Sequence, residues 1–163
     1  LLTCDFHNHS ILNDIILRSI EIKNNIVLQD PKETGLRKIL NFGHTIGHAI
    51  ESFLFSNSIC ILHGESIAIG ICAESYISFK MGCISIDNLN QIVDLILKYF
   101  NPIIIDSNNF QLILELMKND KKNFGNEYSF ILLNGIGNAS YDHKISSDLI
   151  IEGLYFINNL PNG

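Results

Sequence analysis

The sequence lacks the features that assign a chain to several common classes of protein. It has no run of about eighteen apolar residues, which a membrane-spanning helix requires, and no basic N-terminal segment followed by an apolar core, which directs secretion. Its net charge is −6, and its Lys and Arg residues are scattered rather than clustered as a nucleic-acid surface requires. We therefore predict a soluble, cytoplasmic protein that binds neither a membrane nor a nucleic acid.

Cysteine and glycine patterns argue against two further kinds of site. Cys4, Cys60, Cys72 and Cys83 show neither CxxC spacing nor a disulfide framework, so we expect inert, mostly buried free thiols in a reducing compartment. No Gly-rich loop follows a strand and opens a helix, as a dinucleotide site requires. The chain shows no repeat and no clear linker, and its 163 residues with 47% hydrophobic content predict one domain, residues 1–163.

The spacing of apolar residues is mostly helical, and it predicts a mainly α fold with a short β element near residues 128–141. The first helix ends before Pro31, and Thr34 is the predicted N-cap of the second. The helices are predicted over residues 12–28, 35–55, 64–81, 86–99, 108–118 and 148–159.

Glycines occur inside two of these predicted helices. Gly43 and Gly47 each cost about 1 kcal/mol relative to alanine in a helix, so we expect a backbone, a ligand or a metal to approach them closely. Gly70 belongs to a surface of small residues in the third helix, which predicts that another helix packs tightly against it.

Three of the six histidines lie close together in the sequence. His44 and His48 are four residues apart, which places both on one face of a helix. A Ser/Asn-containing loop then precedes His63, and an antiparallel return of the next helix would bring His63 beside His44. Each histidine alone is most simply a core or capping residue, but three together with neighbouring glycines indicate a metal site.

Other polar residues suggest that the site accepts a small anion. Arg37 and Asn41 precede His44 and His48 at helical spacing and would form one polar stripe with them on an otherwise apolar helix. A solvated face is the alternative, although such a face usually carries a mixture of Glu and Lys. Lys23 lies on the apolar side of the first predicted helix, where it needs an anionic partner.

Taken together, these residues resemble 3-dehydroquinate synthase. The resemblance rests on LRKILNFGHTIGHAIE at residues 36–51 and HGESIAIG at residues 63–70, with Lys23 upstream and DKK at 120–122 and IG at 136–137 downstream. It covers most of residues 15–140. It implies the helical C-terminal domain of the dehydroquinate synthase-like and iron-containing alcohol dehydrogenase-like fold, with the N-terminal NAD-binding domain absent from this chain.

The resemblance also implies a role for each matching residue. His44 and His63 would hold Zn²⁺ (or Co²⁺), and His48 would act on a substrate hydroxyl. The family's third zinc ligand, a glutamate, and its NAD⁺ site belong to the N-terminal domain, so Glu51, Glu65, His48 or water would have to complete the metal shell here. The predicted contacts to the substrate's phosphate, carboxylate and hydroxyls are Lys23, Arg37, Asn41 and Lys121.

The implied reaction converts DAHP, a seven-carbon keto-sugar acid phosphate, to 3-dehydroquinate and phosphate in the shikimate pathway of aromatic amino acid biosynthesis. NAD⁺ transiently oxidises a ring hydroxyl, which acidifies the neighbouring carbon before phosphate leaves. A homodimer is expected at full length, and no turnover is expected from this chain alone. Three alternatives stay open: a metal-dependent alcohol or polyol dehydrogenase, a sister sugar-phosphate cyclase, and a non-catalytic helical module.

Overall fold

The structure is a computed structural model that describes residues 9–118 and 127–161. In this part of the chain it has six α-helices and one β-hairpin, which confirms the predicted mainly α class with a small β element. None of the described helices is both long enough and apolar enough to cross a membrane. The elements are α1 (His9–Gln29), α2 (His44–Ser56), α3 (His63–Lys80), α4 (Ile86–Leu97), α5 (Phe110–Lys118), β1 (Glu127–Leu133), β2 (Ala139–Ser146) and α6 (Ser147–Asn158), with 3-10 helices at Leu36–Asn41 and Ser107–Asn109.

The chain divides into two compact units, Leu1–Leu40 and Asn41–Gly163. The described part of the first unit is dominated by α1, which has no buried residue. Lys23 is exposed on this helix, so the prediction that it lies along a buried apolar stripe is wrong. That prediction relied on apolar spacing alone, and α1 leaves large apolar side chains such as Ile16 and Leu17 exposed as well.

The predicted helix over residues 35–55 is interrupted. A 3-10 helix ends at Asn41, and Gly43 adopts a left-handed conformation with φ +83° before α2 begins at His44. A residue without Cβ is suited to this conformation, which ends one helix and starts the next. The predicted stripe through Arg37, Asn41, His44 and His48 required one continuous helix, and that prediction is therefore wrong.

The turn before the 3-10 helix is organised by Asp30 rather than by Thr34. The Asp30 carboxylate accepts hydrogen bonds from the backbone N–H groups of Gly35 at 2.8 Å and Arg37 at 3.1 Å. Thr34 is itself a donor to Asp30, at 3.1 Å from its backbone nitrogen. These donors, with Gly35 first among them, lower the pKa of Asp30 because they favour the carboxylate.

In the second unit, α3 is the central element. It packs against α2, α4, α6 and β1, while α2 also packs against α5. Apolar side chains from these elements form one buried core, and many of them are fully inaccessible to solvent. Fully buried members include Ile46, Ile50, Ile69, Ile77, Ile113, Phe130, Leu132, Ile150 and Leu154.

The β-hairpin is antiparallel and pairs Glu127 with Ser146 at one end and Leu133 with Ala139 at the other. Its second strand therefore extends beyond the predicted β region, which ended near residue 141. Gly135 and Gly137 both have positive φ, +93° and +86°, and they shape the turn between the strands. The IG pair of the family resemblance lies in this turn.

The described cysteines are free, as predicted, but they are not all buried. Cys72 is buried in the core, and burial raises its thiol pKa to about 12, which makes it inert. Cys60 is exposed in the loop between α2 and α3, so the expectation of a buried thiol is wrong there. Cys4 lies outside the described residues.

Candidate metal centre

The helices α2 and α3 cross with their backbones in contact, and glycines allow this approach. A Cβ atom on Gly70 would collide with the carbonyl oxygen of Gly43 and would lie 2.7 Å from the nitrogen of Gly47. A Cβ on Gly47 would lie 2.9 Å from the carbonyl oxygen of Ser66. Of the three expected causes of a close approach, a backbone, a ligand or a metal, the structure shows a backbone, and this contact explains why glycine stands at Gly47 inside α2 and at Gly43 just before it.

The buried carboxyl group of Glu74 holds the start of α2 in place. Glu74 of α3 is fully buried, and it accepts hydrogen bonds from the backbone N–H groups of Gly43 at 2.7 Å and Ile46 at 3.2 Å. These N–H groups belong to the first turn region, where a helix has no intrahelical acceptors of its own. Burial raises the pKa of Glu74 to about 8, although the backbone donors favour its charged form.

Glu74 was missed in the sequence analysis, yet its spacing carries a signal. It follows Gly70 by four residues and therefore lies on the same face of α3, the face that meets Gly43. An acidic residue on a face of small residues needs a buried partner. Here that partner is the start of α2, whose backbone N–H groups donate to Glu74.

The three histidines predicted to form a site come together. The ring centroids lie 5.2 Å apart for His44 and His48, 5.8 Å for His44 and His63, and 5.5 Å for His48 and His63. α3 runs antiparallel to α2, since Gly47 lies against Ser66 and Gly43 against Gly70, and His63 comes to lie beside His44 as predicted. Each ring offers one nitrogen, and these three nitrogens all lie within 4.8 Å of one another.

Hydrogen bonds orient two of these rings. The Nδ1 atom of His44 lies 3.2 Å from the carbonyl oxygen of Phe42, and the Nδ1 atom of His63 lies 3.1 Å from Oε2 of Glu51. Because both partners are acceptors, we assign the Nδ1 position of each ring as the N–H donor. The Nε2 atom of each ring then keeps its lone pair for a metal ion.

The donor set suits a divalent transition metal. Neutral imidazole nitrogens are common ligands of Zn²⁺ and Co²⁺. With Zn–N bonds of about 2.1 Å, two nitrogens on one ion lie at most about 4.2 Å apart, so nitrogens within 4.8 Å need only small side-chain rotations. The three histidines therefore fit a metal centre.

The two acidic residues considered as further ligands have other partners. Glu51 contacts Nδ1 of His63, and Glu65 accepts the backbone N–H of Leu62 at 2.9 Å, which secures the start of α3. Neither is among the groups that converge on the same point as the three histidines in the described residues. Within this chain, His48 is thus better placed than Glu51 or Glu65 to complete a metal shell.

The structure places the other predicted site residues as follows. Asn41 is half-buried at the end of the 3-10 helix, just before the turn at Gly43. The Arg37 guanidinium donates a hydrogen bond to the carbonyl oxygen of Pro31 at 3.1 Å, and its Nε lies 3.7 Å from Glu33. Lys121 lies outside the described residues.

An open cleft adjoins the histidines. Its volume is about 440 Å³, and His44 and His63 stand at its edge. The remaining walls are almost entirely apolar, so the polar chemistry of the cleft is concentrated at the imidazoles. The other lining residues are Gly64, Ile67, Ala68, Ile71, Ile96 and Phe100.

Comparison with known proteins identifies the family. The family model described as 3-dehydroquinate synthase C-terminal matches residues 3–123. This chain belongs to that family. The resemblance predicted from the sequence is confirmed, and the histidines, the 3-10 helix and the glycine crossing all fall within the matched residues.

Curated relatives in the family are longer than this chain. The 3-dehydroquinate synthase of Parabacteroides distasonis is 40% identical over 156 residues, which are 96% of this chain and 44% of the relative. That of Campylobacter jejuni is 36% identical over 152 residues, 93% of this chain and 42% of the relative. The chain therefore spans less than half the length of these relatives.

Solved structures confirm the predicted fold. A 2-deoxy-scyllo-inosose synthase, crystallised with carbaglucose-6-phosphate, NAD⁺ and Co²⁺, matches with a TM-score of 0.74 and 25% identity over 89% of this chain and 41% of that chain. A 2-epi-5-epi-valiolone synthase from Streptomyces hygroscopicus, with NAD⁺ and Zn²⁺ bound, matches with a TM-score of 0.70 and 16% identity over 92% of this chain and 41% of that chain. The second likeness concerns the fold alone.

Proposed function

We propose that this chain supplies the metal- and substrate-binding part of a 3-dehydroquinate synthase, which converts DAHP to 3-dehydroquinate and phosphate. The observation that carries the proposal is the convergence of His44, His48 and His63 in a member of this family. Relatives over nearly the whole chain bear that name. The shikimate-pathway role, the homodimer and the cytoplasmic location are part of the same proposal.

His44 and His63 hold the metal ion through their Nε2 atoms. The hydrogen bonds on their Nδ1 atoms support this assignment, as does the Co²⁺ in the structure of the 2-deoxy-scyllo-inosose synthase. When bound, the ion supplies Lewis-acid polarisation of a substrate oxygen. The remaining protein ligand, a glutamate in the family, belongs to the part of the relatives that lies outside this chain.

His48 holds and moves a proton at the substrate. It is exposed, and it stands one turn after His44 with its ring near both proposed ligands. An imidazole at this place can accept a proton from a substrate hydroxyl and return it later, since its ordinary pKa lies near neutrality. We assign it this catalytic role rather than that of a permanent metal ligand.

Charged and polar side chains bind the two anionic ends of DAHP. Arg37 offers a planar fork suited to a carboxylate or phosphate, and its carboxylate neighbour Glu33 lies at the long distance of 3.7 Å. Lys23 and Lys121 contribute point charges, and Asn41 binds a hydroxyl. We assign no residue of this chain to NAD⁺, which binds the N-terminal portion carried by the longer relatives.

The test is phosphate release from DAHP in the presence of NAD⁺ and Zn²⁺. The protein is this chain joined to the N-terminal portion that its relatives carry, as wild type, as His63→Ala and as the control Ser52→Ala, an exposed position on α2. We expect release by wild type and control, and a loss of at least about 100-fold in His63→Ala, because the metal site loses a ligand. Release that proceeds without NAD⁺, or equally in His63→Ala, contradicts the proposal.

A sister sugar-phosphate cyclase is the second candidate, favoured by the structural match to 2-deoxy-scyllo-inosose synthase. The same assay with glucose 6-phosphate in place of DAHP distinguishes the two, because each enzyme must recognise a different anionic substrate. Net NADH production from an uncharged polyol would instead indicate a dehydrogenase. A protein with neither activity nor bound metal would be a non-catalytic helical module.

A further inference from the structure

We propose that Glu51 is a positioning residue of the metal centre, which holds the His63 ring so that its Nε2 atom faces the ion. This inference rests on the proposed metal-binding role of His44 and His63. It assigns a function to a carboxylate that neither coordinates the ion nor touches the substrate.

The position of Glu51 links the two helices that build the site. It lies on α2, seven residues after His44 and three after His48, and therefore on the same helical face as both. From there its Oε2 atom reaches Nδ1 of His63, the first residue of α3, at 3.1 Å. One side chain thus ties the histidine of one helix to the helix that carries the other two.

The hydrogen bond between Glu51 and His63 affects metal binding as well as stability. An imidazole that donates Nδ1–H to a carboxylate is held in the tautomer whose Nε2 is unprotonated, and the carboxylate also makes that nitrogen a stronger metal ligand. For His44, the carbonyl oxygen of Phe42 is the acceptor of Nδ1–H, at 3.2 Å. Each of the two proposed ligands therefore has its own acceptor at Nδ1.

His63 depends on this acceptor because little else constrains it. Its side chain is 56% exposed, whereas that of Glu51 is 34% exposed. It follows an exposed loop, residues 57–60, and no atom lies within 4 Å of a Cβ built on the next residue, Gly64. Packing that fixes buried rings is largely absent here, so the hydrogen bond determines which nitrogen points inward.

The experiment compares Glu51→Ala with Glu51→Gln in the completed protein used for the activity test. The amide oxygen of glutamine still accepts Nδ1–H, whereas alanine removes the acceptor. Zn²⁺ affinity is measured by competition with a coloured chelator, and Co²⁺ binding by visible absorption. We expect Glu51→Ala to weaken Zn²⁺ binding about 10- to 100-fold, Glu51→Gln to lose much less, and the neighbouring control Ser52→Ala to match wild type.

A second measurement separates positioning from folding. Nitrogen NMR of the metal-free protein reports the His63 tautomer, which we expect to be Nδ1–H in wild type and mixed in Glu51→Ala, with unchanged melting temperatures. A Glu51→Ala variant that binds Zn²⁺ like wild type and keeps the tautomer overturns this inference alone. Wild-type protein that binds no Zn²⁺ overturns the metal site and this inference together.

Discussion

The two faces of the α2–α3 pair are held in different ways. On the buried face, Gly43 and Gly47 meet Gly70 with backbone against backbone, and Glu74 receives the first N–H groups of α2. On the exposed face, His44 and His63 are each oriented by a hydrogen bond to a partly accessible acceptor. Packing thus determines where the imidazoles stand, while a few polar contacts determine how they point.

This difference predicts that changes on the buried face affect folding and changes on the exposed face affect chemistry. Substitutions on each face, with a matched control, test this contrast.

The largest loss of stability is expected for Gly70→Ala. Its Cβ would collide with the carbonyl oxygen of Gly43, which is backbone and can move only if the helices separate. We expect a loss of about 3 kcal/mol in the free energy of unfolding, or roughly 10 °C in melting temperature. Calorimetry checks the value.

Gly64→Ala is the matched control for Gly70→Ala. It lies on the same helix, but nothing stands within 4 Å of its Cβ position. We expect it to be neutral or stabilising by up to about 1 kcal/mol. Equal destabilisation by the two substitutions would show that helix crossing is not what requires glycine at Gly70.

A smaller loss of stability is expected for Glu74→Gln. Glutamine has one acceptor oxygen, so one buried backbone N–H, of Gly43 or Ile46, loses its partner at a cost of about 1–3 kcal/mol. Urea unfolding at acidic pH, where Glu74 is protonated in both the folded and the unfolded chain, measures this loss.

The same variant tests the titration of Glu74. Its pKa rises from 4.5 to about 8 on burial, so between these values the folded protein keeps a proton that the unfolded chain has released. This contribution to stability is fully present below pH 4.5 and is lost as the pH rises towards about 8. We expect a stability difference between wild type and Glu74→Gln that narrows over this range. A constant difference would show that Glu74 is charged in both states.

The smallest effect on stability is expected for His48→Ala on the exposed face, less than about 0.5 kcal/mol, because the residue is exposed and lies outside the buried core. In the completed protein it should retain Zn²⁺ but lose about 10²- to 10⁴-fold in turnover, the usual contribution of a general acid–base group. Zinc content and phosphate release are measured together. A variant that also loses its zinc would show His48 to be a metal ligand.

Local patterns anticipated much of the molecule. The spacing of His44 and His48 correctly predicted that both lie on one face of a helix. α2 begins at His44, so both residues belong to the same helix. The loop before His63 correctly predicted the antiparallel return of α3. The predicted polar stripe from Arg37 to His48 was wrong because it assumed one continuous helix. The spacing of residues does not reveal a left-handed backbone conformation, and Gly43, with φ +83°, interrupts the helix.

The order of the helices, the approximate position of the hairpin, the family and the identity of the three clustered histidines could all be predicted from the chain alone. These depend on short-range spacing and on motifs that can be read along the chain. Two contacts could be found only in the folded chain: Glu74 holds the start of α2, and Glu51 orients His63. Those contacts join residues 31 and 12 positions apart, and such pairings depend on how helices pack rather than on any local period.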